Sequence, residues 1–187
     1  MSSSPLIAVV FEVRFKPKNN FATELLIAIN QTFGNHLSII HADGLQFPAD
    51  IKAQQNDFYY IPSYKINYAL FSLLISDGSL VVVKNTLDAT YEGWDSFKRI
   101  PLQILGILKS KDRISDIHRF SLKYTNLIQT KSALKDLNLS LKIDNEDLQE
   151  NAKLTLRTEI RDNGFVSLTD ISSDVELENI SDVSGEV

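Results

Sequence analysis

The run Ile7–Phe15 alternates without a break: Ile7, Val9, Phe11, Val13 and Phe15 fall on one side at period two, and Glu12, Arg14 and then Lys16 fall on the other. Successive side chains of a strand point to opposite faces. Strict alternation of β-branched and aromatic residues with charged ones therefore predicts a half-buried β-strand. One face must be covered by a core, and the other carries charge. Pro17 ends the strand, because it has no N–H for a ladder.

From Asn20 the period changes from two to helical. Ala22, Leu25, Leu26, Ile29 and Phe33 recur at spacings of three and four, which predicts an amphipathic helix with Asn20 as its N-cap and Gly34 as its stop. Leu37–His41 reads as a short strand. Ala42–Ile66 is less regular, with Gly44, Pro48 and Pro62, and one short strand is expected around Phe58–Ile61. Ile66–Ser76 and Ser79–Asn85 read as a β-hairpin, because Asp77-Gly78 between two β-rich runs is a strong turn signal. A short extended piece, Asp88–Tyr91, follows.

Trp94–Leu108 is the second helix, with a broad apolar side built from Phe97, Ile100, Leu102, Ile104, Leu105 and Leu108. Asp95 is its expected cap. Pro101 lies inside the span, so the helix should kink there or start near it. Arg119–Thr130 is a further strand, with Phe120, Leu122, Tyr124, Asn126 and Ile128 on one face and Arg119, Ser121, Lys123, Thr125 and Leu127 on the other. Leu137–Ile143, Lys153–Arg161 and Phe165–Ile171 are weaker strand-like runs, and Asp162-Asn163-Gly164 marks a tight turn between the last two. Ser172–Val187 is polar and acidic and reads as a frayed end.

Short connections and hairpins favour antiparallel pairing over the repeating helix crossovers of a parallel sheet. The fold class is therefore α+β, a mostly antiparallel curved sheet with two principal helices and a strand-rich C-terminal extension. Residues 1–134 form the expected α+β core. Residues 135–171 extend the same sheet or form a small second half, and 172–187 form the tail. The alternative division is into two α+β halves separated near Lys131–Lys135.

Charge follows that division. Residues 1–134 hold 14 Lys and Arg against 11 Asp and Glu, whereas 135–187 hold 5 against 13, so the acidity behind the net charge of −5 lies in the last quarter. Such a region is a solvated end or a dock for a basic partner. No overall basic field exists for nucleic acid, which is disfavoured as a partner. The chain has no cysteine, which excludes disulfides, thiolate metal sites and a thiol nucleophile. No apolar run is long enough to span a membrane, and the first residues lack the pattern of a secretory leader; the expected location is the cytoplasm.

Motifs that carry chemistry are missing. His36, His41 and His118 are not spaced as a metal set, and His36 is expected to interact with the C-terminal end of the first helix. The seven glycines form no phosphate-binding loop, and no serine sits in a nucleophile elbow. No catalytic residue, metal or cofactor is therefore assigned, and the reading leans away from an enzyme. Two groups of residues stand out instead. Tyr59, Tyr60 and Tyr64 lie in an aromatic segment that packs over the sheet or forms a partner-binding patch; stacking on single-stranded nucleic acid is the third reading, and few basic residues accompany it. Arg14, Arg119 and Lys123 lie on charged strand faces. They either join Glu12 in a cross-strand ionic ladder or form a cationic strip for an anion or an acidic partner.

Three stretches carry a resemblance when taken together: 5-PLIAVVFEVRF-15, 91-YEGWDSF-97 and 119-RFSLKYTNLI-128. They resemble a sporadically distributed, uncharacterised prokaryotic family of longer chains. Its members have a Val-Val-Phe-Glu-Ile-Arg-Phe-like start, a Tyr-x-Gly-Trp-x-x-Phe helix entry and an Arg-x-Gly-Leu-Arg-Tyr-Ile-Asn-Arg-Ile-like strand. The resemblance spans residues 5–171 in the family's order. Ser121, Lys123 and Leu127 depart from the Gly, Arg and Arg of that strand, which alters its cationic face. The chain stops before the family's usual C-terminal helix. The resemblance implies a module identity without a reaction. A sporadic family without catalytic motifs suits an accessory role in a defence or toxin–antitoxin-like system.

The leading expectation is thus a non-enzymatic protein-interaction module, partnered by protein and capable of homo-oligomerisation. One alternative is a chaperone-like or peptide-binding sheet, which requires an exposed apolar groove. The other is a small anionic ligand binder or an enzyme with an unmarked site, which predicts a deep pocket where Arg14, Arg119, Lys123 or a histidine converges with a carboxylate.

Overall fold

The computed structural model describes residues 5–86, 90–110, 114, 116–129, 135, 137–138, 140, 142–143, 146–147 and 153–173. The chain divides into two compact units, Met1–Leu127 and Ile128–Val187.

The first unit is built on β1 (Leu6–Phe15), α1 (Phe21–Phe33), β2 (Ser38–His41), α2 (Ala49–Gln54), β3 (Tyr64–Asn67), β4 (Ser72–Ile75), β5 (Ser79–Asn85), α3 (Trp94–Phe97), α4 (Arg99–Lys109) and β6 (Ile117–Asn126). Its strands make one open, antiparallel six-stranded sheet in the order β2-β3-β4-β5-β1-β6. β1 lies between β5 and β6, pairing Val10 with Val83 on one side and with Lys123 on the other. The alternation read from the sequence sorts its side chains as expected. Val9, Phe11, Val13 and Phe15 are buried with Leu73, Ile75, Leu80 and Val82 of β4 and β5.

The helices cover that face. α1 buries Phe21, Leu25 and Ile29, and Phe21 meets Phe15 edge-on at 5.5 Å between ring centroids. α4 buries Ile104, Ile107 and Leu108. Each such side chain contributes about 1.5–3 kcal/mol of hydrophobic stabilisation. Among the described residues no helix is long and apolar enough to cross a membrane.

Several local expectations are corrected. Asn20 does not cap α1 with its side chain; it adopts a left-handed conformation, and the cap comes from a distant residue. Ala22 donates its backbone N–H to Asp77 Oδ1 at 2.8 Å, while Asp77 Oδ2 accepts from Lys52 Nζ of α2 at 2.7 Å. Both charged side chains are buried. Asp77-Gly78 is the turn between β4 and β5, as expected, and it is also a junction. Phe15 and Lys18 donate backbone N–H groups to the carbonyls of Gly78 and Asp77. A Cβ on Gly78 would sit 2.9 Å from the Tyr60 ring, so only glycine lets the ring lie there.

The single strand expected over Ile66–Ser76 is two strands, β3 and β4. The turn between them contains no glycine or proline. It is held by a stack of Tyr68 on Phe71, centroids 4.7 Å apart, against which Phe33 of α1 packs. The strand expected at Phe58–Ile61 is a 3-10 helix, Asn56–Tyr60, that follows α2. The second principal helix is divided at Lys98 into α3 and α4. Pro101 has no N–H to donate to the carbonyl four residues earlier, so the ladder is interrupted there. Asp95 pairs with Lys98 rather than serving as cap; the residue preceding α3 is Gly93, at φ 92°. Gly34 does stop α1, donating its N–H to the Asn30 carbonyl.

The second unit contains the pair β7 (Lys142–Ile143) and β8 (Glu146–Asp147), and the hairpin of β9 (Thr155–Asp162) and β10 (Phe165–Ser172). Asn163 and Gly164 have φ of 47° and 82°, the left-handed pair of a two-residue hairpin turn. The run Leu137–Ile143 is described only in part. The expected tail lies outside the described residues beyond Ser173.

The Asp77 junction gives a direct stability test. Asp77→Ala removes the α1 cap and leaves the Lys52 ammonium buried without its counter-ion. It should cost about 3–5 kcal/mol in urea unfolding. The double variant Lys52→Met/Asp77→Asn should recover part of that loss, since it leaves no buried charge. Equal stability of Asp77→Ala and the parent chain would contradict this account.

Candidate functional site

The two faces of the sheet offer different surfaces around β1 and β6. On the face away from the helices, Arg14 lies opposite Arg119 in register and Glu12 opposite Ser121. Glu12 sits between the two guanidinium groups. Arg14 Nε donates to Glu12 Oε1 at 2.8 Å, and Arg119 Nη2 donates to Glu12 Oε2 at 3.0 Å. Ser121 Oγ adds a longer bond to Oε2 at 3.3 Å. Arg14 also stacks its guanidinium over the Tyr60 ring, 4.6 Å from the centroid.

Burial pushes the Glu12 carboxyl up, but the hydrogen bonds and charges of Arg14 and Arg119 more than offset it and hold the group below its ordinary value of 4.5. The structure thus brings Arg14 and Arg119 together on one carboxylate. Lys123 is opposite Val10, two positions further along β6 from Ser121, and has no carboxylate partner among the described residues. An ionic cluster on Glu12 is the observed arrangement of the arginines.

Tyr59, Tyr60 and Tyr64 do not make a continuous surface. Tyr59 and Tyr64 are buried, with the Tyr59 hydroxyl donating to Asn19 Oδ1 at 2.8 Å and that of Tyr64 bonded to Thr23 Oγ1 at 3.0 Å. Tyr60 fills the space between Arg14 and Gly78. His36 is not hydrogen-bonded to the end of α1, where the Gly34 N–H takes the Asn30 carbonyl; its Nδ1 is buried without a hydrogen-bond partner. Among the described residues no three His, Asp or Glu side chains gather as metal ligands.

The helix-side face ends differently. Phe120, Leu122 and Tyr124 of β6 lie opposite Val13, Phe11 and Val9, so they point to the side that the helices cover over β1. The cover does not reach them: they are 53%, 41% and 43% exposed. Beside them stand Leu102 and Trp94, 61% and 44% exposed. Phe11, Trp94, Lys98, Pro101, Leu102, Leu105 and Phe120 line an open groove of about 260 Å³ with an apolar lining. Further along β6, Tyr124 meets Tyr91, the rings edge-to-face at 6.3 Å.

Phe120 brings β6 into this groove, and the outer edge of that strand, ten residues long, has no strand paired to it among the described residues. The opposite edge, β2, has only four. Short edge strands resist unwanted pairing, whereas long ones invite it. The groove and the open edge together form the candidate site.

Sequence reasoning named Arg119 and Lys123 on this strand but placed no function on Phe120, Leu122, Tyr124, Trp94 or Leu102. A signal for them was present. The apolar side of Trp94–Leu108 is wider than one helix–sheet contact requires, and alternate residues of β6 are large and apolar. No known family, curated protein or solved structure matches the chain in comparisons with each.

The Glu12 cluster has a pH signature. A carboxyl held below its ordinary value in the folded state adds stability above that value, and the contribution is lost as pH falls through the depressed one. The parent chain should therefore lose stability below about pH 5 more steeply than Glu12→Gln, which should itself cost about 1 kcal/mol at neutral pH. Parallel acid-denaturation profiles of the two would contradict the depressed carboxyl.

Proposed function

We propose that the chain is a non-enzymatic protein-interaction module that receives an extended apolar segment along β6. The observation that carries this reading is the coincidence of a ten-residue open edge with an apolar groove on the same strand. Strand addition supplies main-chain hydrogen bonds in any sequence, and a groove that takes alternate side chains supplies preference. Here the alternate positions would fall beside Phe120, Leu122 and Tyr124. Trp94 and Leu102 flank them, and exposed aromatic residues of this kind anchor interfaces well.

The groove lining holds no carboxylate, hydroxyl or imidazole with which to move a proton or attack a substrate. Its single charged group, Lys98, is paired with Asp95. A role as an anion site is less well supported, because Glu12 already neutralises one of the two arginines that converge on it. An accessory role in a prokaryotic defence or toxin–antitoxin-like system fits a partner-binding module, and the cytoplasm is the compartment proposed for it.

A photo-reactive benzoylphenylalanine at position 102, introduced in the native host, tests this reading. It should trap one principal protein, with the yield falling when Leu122→Arg is added. A label at exposed Gln31 of α1 should not trap it. The same weak, diffuse adducts at both positions would overturn the proposal.

A further inference from the structure

We infer that the segment received by β6 is β6 of a second copy of this chain, paired antiparallel with Leu122 on the two-fold axis. This rests on the reading of β6 as the docking edge and names its occupant. The argument is one of register. Two identical antiparallel strands form a closed pair only about an axis perpendicular to the sheet, so the same residue type meets itself at the axis and residues equally far from it face each other. Opposed residues then lie on the same face.

The sequence of β6 makes the possible registers unequal. With Ser121 on the axis, Arg119 faces Lys123 twice, and with Lys123 on the axis the two ammonium groups oppose each other. Like charges directly opposite are destabilising. Axes at Arg119 or Tyr124 leave half of the ten-residue strand unpaired, and an axis at Phe120 leaves its last three residues, Tyr124 among them, without a partner. With Leu122 on the axis none of these faults arises. Leu122 meets Leu122, and Phe120 faces Tyr124 twice on the groove side. Arg119 faces Thr125, and Ser121 faces Lys123, on the other side.

The pairs this register makes are of the kinds that stabilise antiparallel strands, aromatic on aromatic and apolar on apolar. They are also made by the three side chains that the helices leave exposed. The register further gives Lys123 a place in the charge pattern. The second copy's Lys123 would lie beside Ser121, which donates to Glu12 Oε2. That row, Glu12–Ser121–Lys123, would cross three strands spaced about 4.8 Å apart. Both helical layers would lie on one face of a continuous sheet. The two copies' Leu102 and Trp94 would then flank the paired aromatic residues from either side.

The chain has no cysteine, so single introduced thiols report the register without background. Leu122→Cys should oxidise to a disulfide-linked dimer far faster than Phe120→Cys or Ser121→Cys, because only residue 122 meets itself. Light scattering of the parent chain should give twice the 21.1 kDa protomer mass. Leu122→Arg, which sets two guanidinium groups against each other at an exposed position, should return it to the protomer mass with an unchanged circular dichroism spectrum.

A protomer mass for the parent at all concentrations overturns the inference, as does a dimer whose thiols couple fastest elsewhere. A monomer that still gives a specific foreign adduct at position 102 overturns only the choice of occupant. A monomer with no adduct there overturns the docking edge as well.

Discussion

β1 is the constraint on which the first unit depends. It is an inner strand of the sheet, hydrogen-bonded to β5 and β6, and its buried face supplies Val9, Phe11, Val13 and Phe15 to the core. A one-residue slip would turn those four side chains to the opposite face and bring Glu12 and Arg14 under the helices. Register is therefore fixed by burial, and everything that follows is hung from it. The chain leaving β1 is tied to the β4–β5 turn through Gly78 and Asp77. Asp77 in turn supports the start of α1 and holds Lys52 of α2. A buried ion pair of this kind adds less to stability than its distance suggests, because desolvation opposes the attraction. Its consequence is positional: it joins β1, α1, α2 and the hairpin at one point.

Much of this was legible from the residues alone. Period-two alternation marked β1, helical spacing marked α1, and the Asp-Gly and Asn-Gly turns marked both hairpins. These signals are local, and each has one physical reading. What could not be read had its cause at a distance. Nothing in the sequence near α1 says that its cap lies at Asp77, since the contact is made by tertiary folding. The β3–β4 turn was invisible because Tyr68 and Phe71 stabilise it by stacking, while turn prediction depends on residues with special backbone freedom. Tyr59 and its neighbours look strand-like by composition, yet they form a 3-10 helix because their rings and hydroxyls are taken up by Asn19, Arg14 and the space over Gly78.

The candidate site shows the same division. The cationic residues were visible on their strand faces, and pairing with Glu12 explains two of them, Arg14 along β1 and Arg119 across to β6. The apolar groove was not recognised, because exposure is a property of where a helix stops covering a sheet. Phe120, Leu122 and Tyr124 have the pattern of core residues, and on β1 the same pattern is core. On β6 they lie one strand too far out. The second unit presents a comparable situation within itself. The β9–β10 hairpin carries exposed Ile160 and Phe165 on one face, and a two-stranded sheet alone is only marginally stable in water.

The central claim is that the outer edge of β6 is a docking edge, and amide hydrogen exchange along that strand tests it most directly. Half of its N–H groups point to β1 and half to the open side, so the two sets report different things. The account predicts that the outward set becomes protected as protein concentration rises and exchanges freely on dilution, while the inward set stays protected throughout. Outward amides that exchange at the unpaired rate at every concentration and beside every partner, with β1 and β5 still protected, would contradict it.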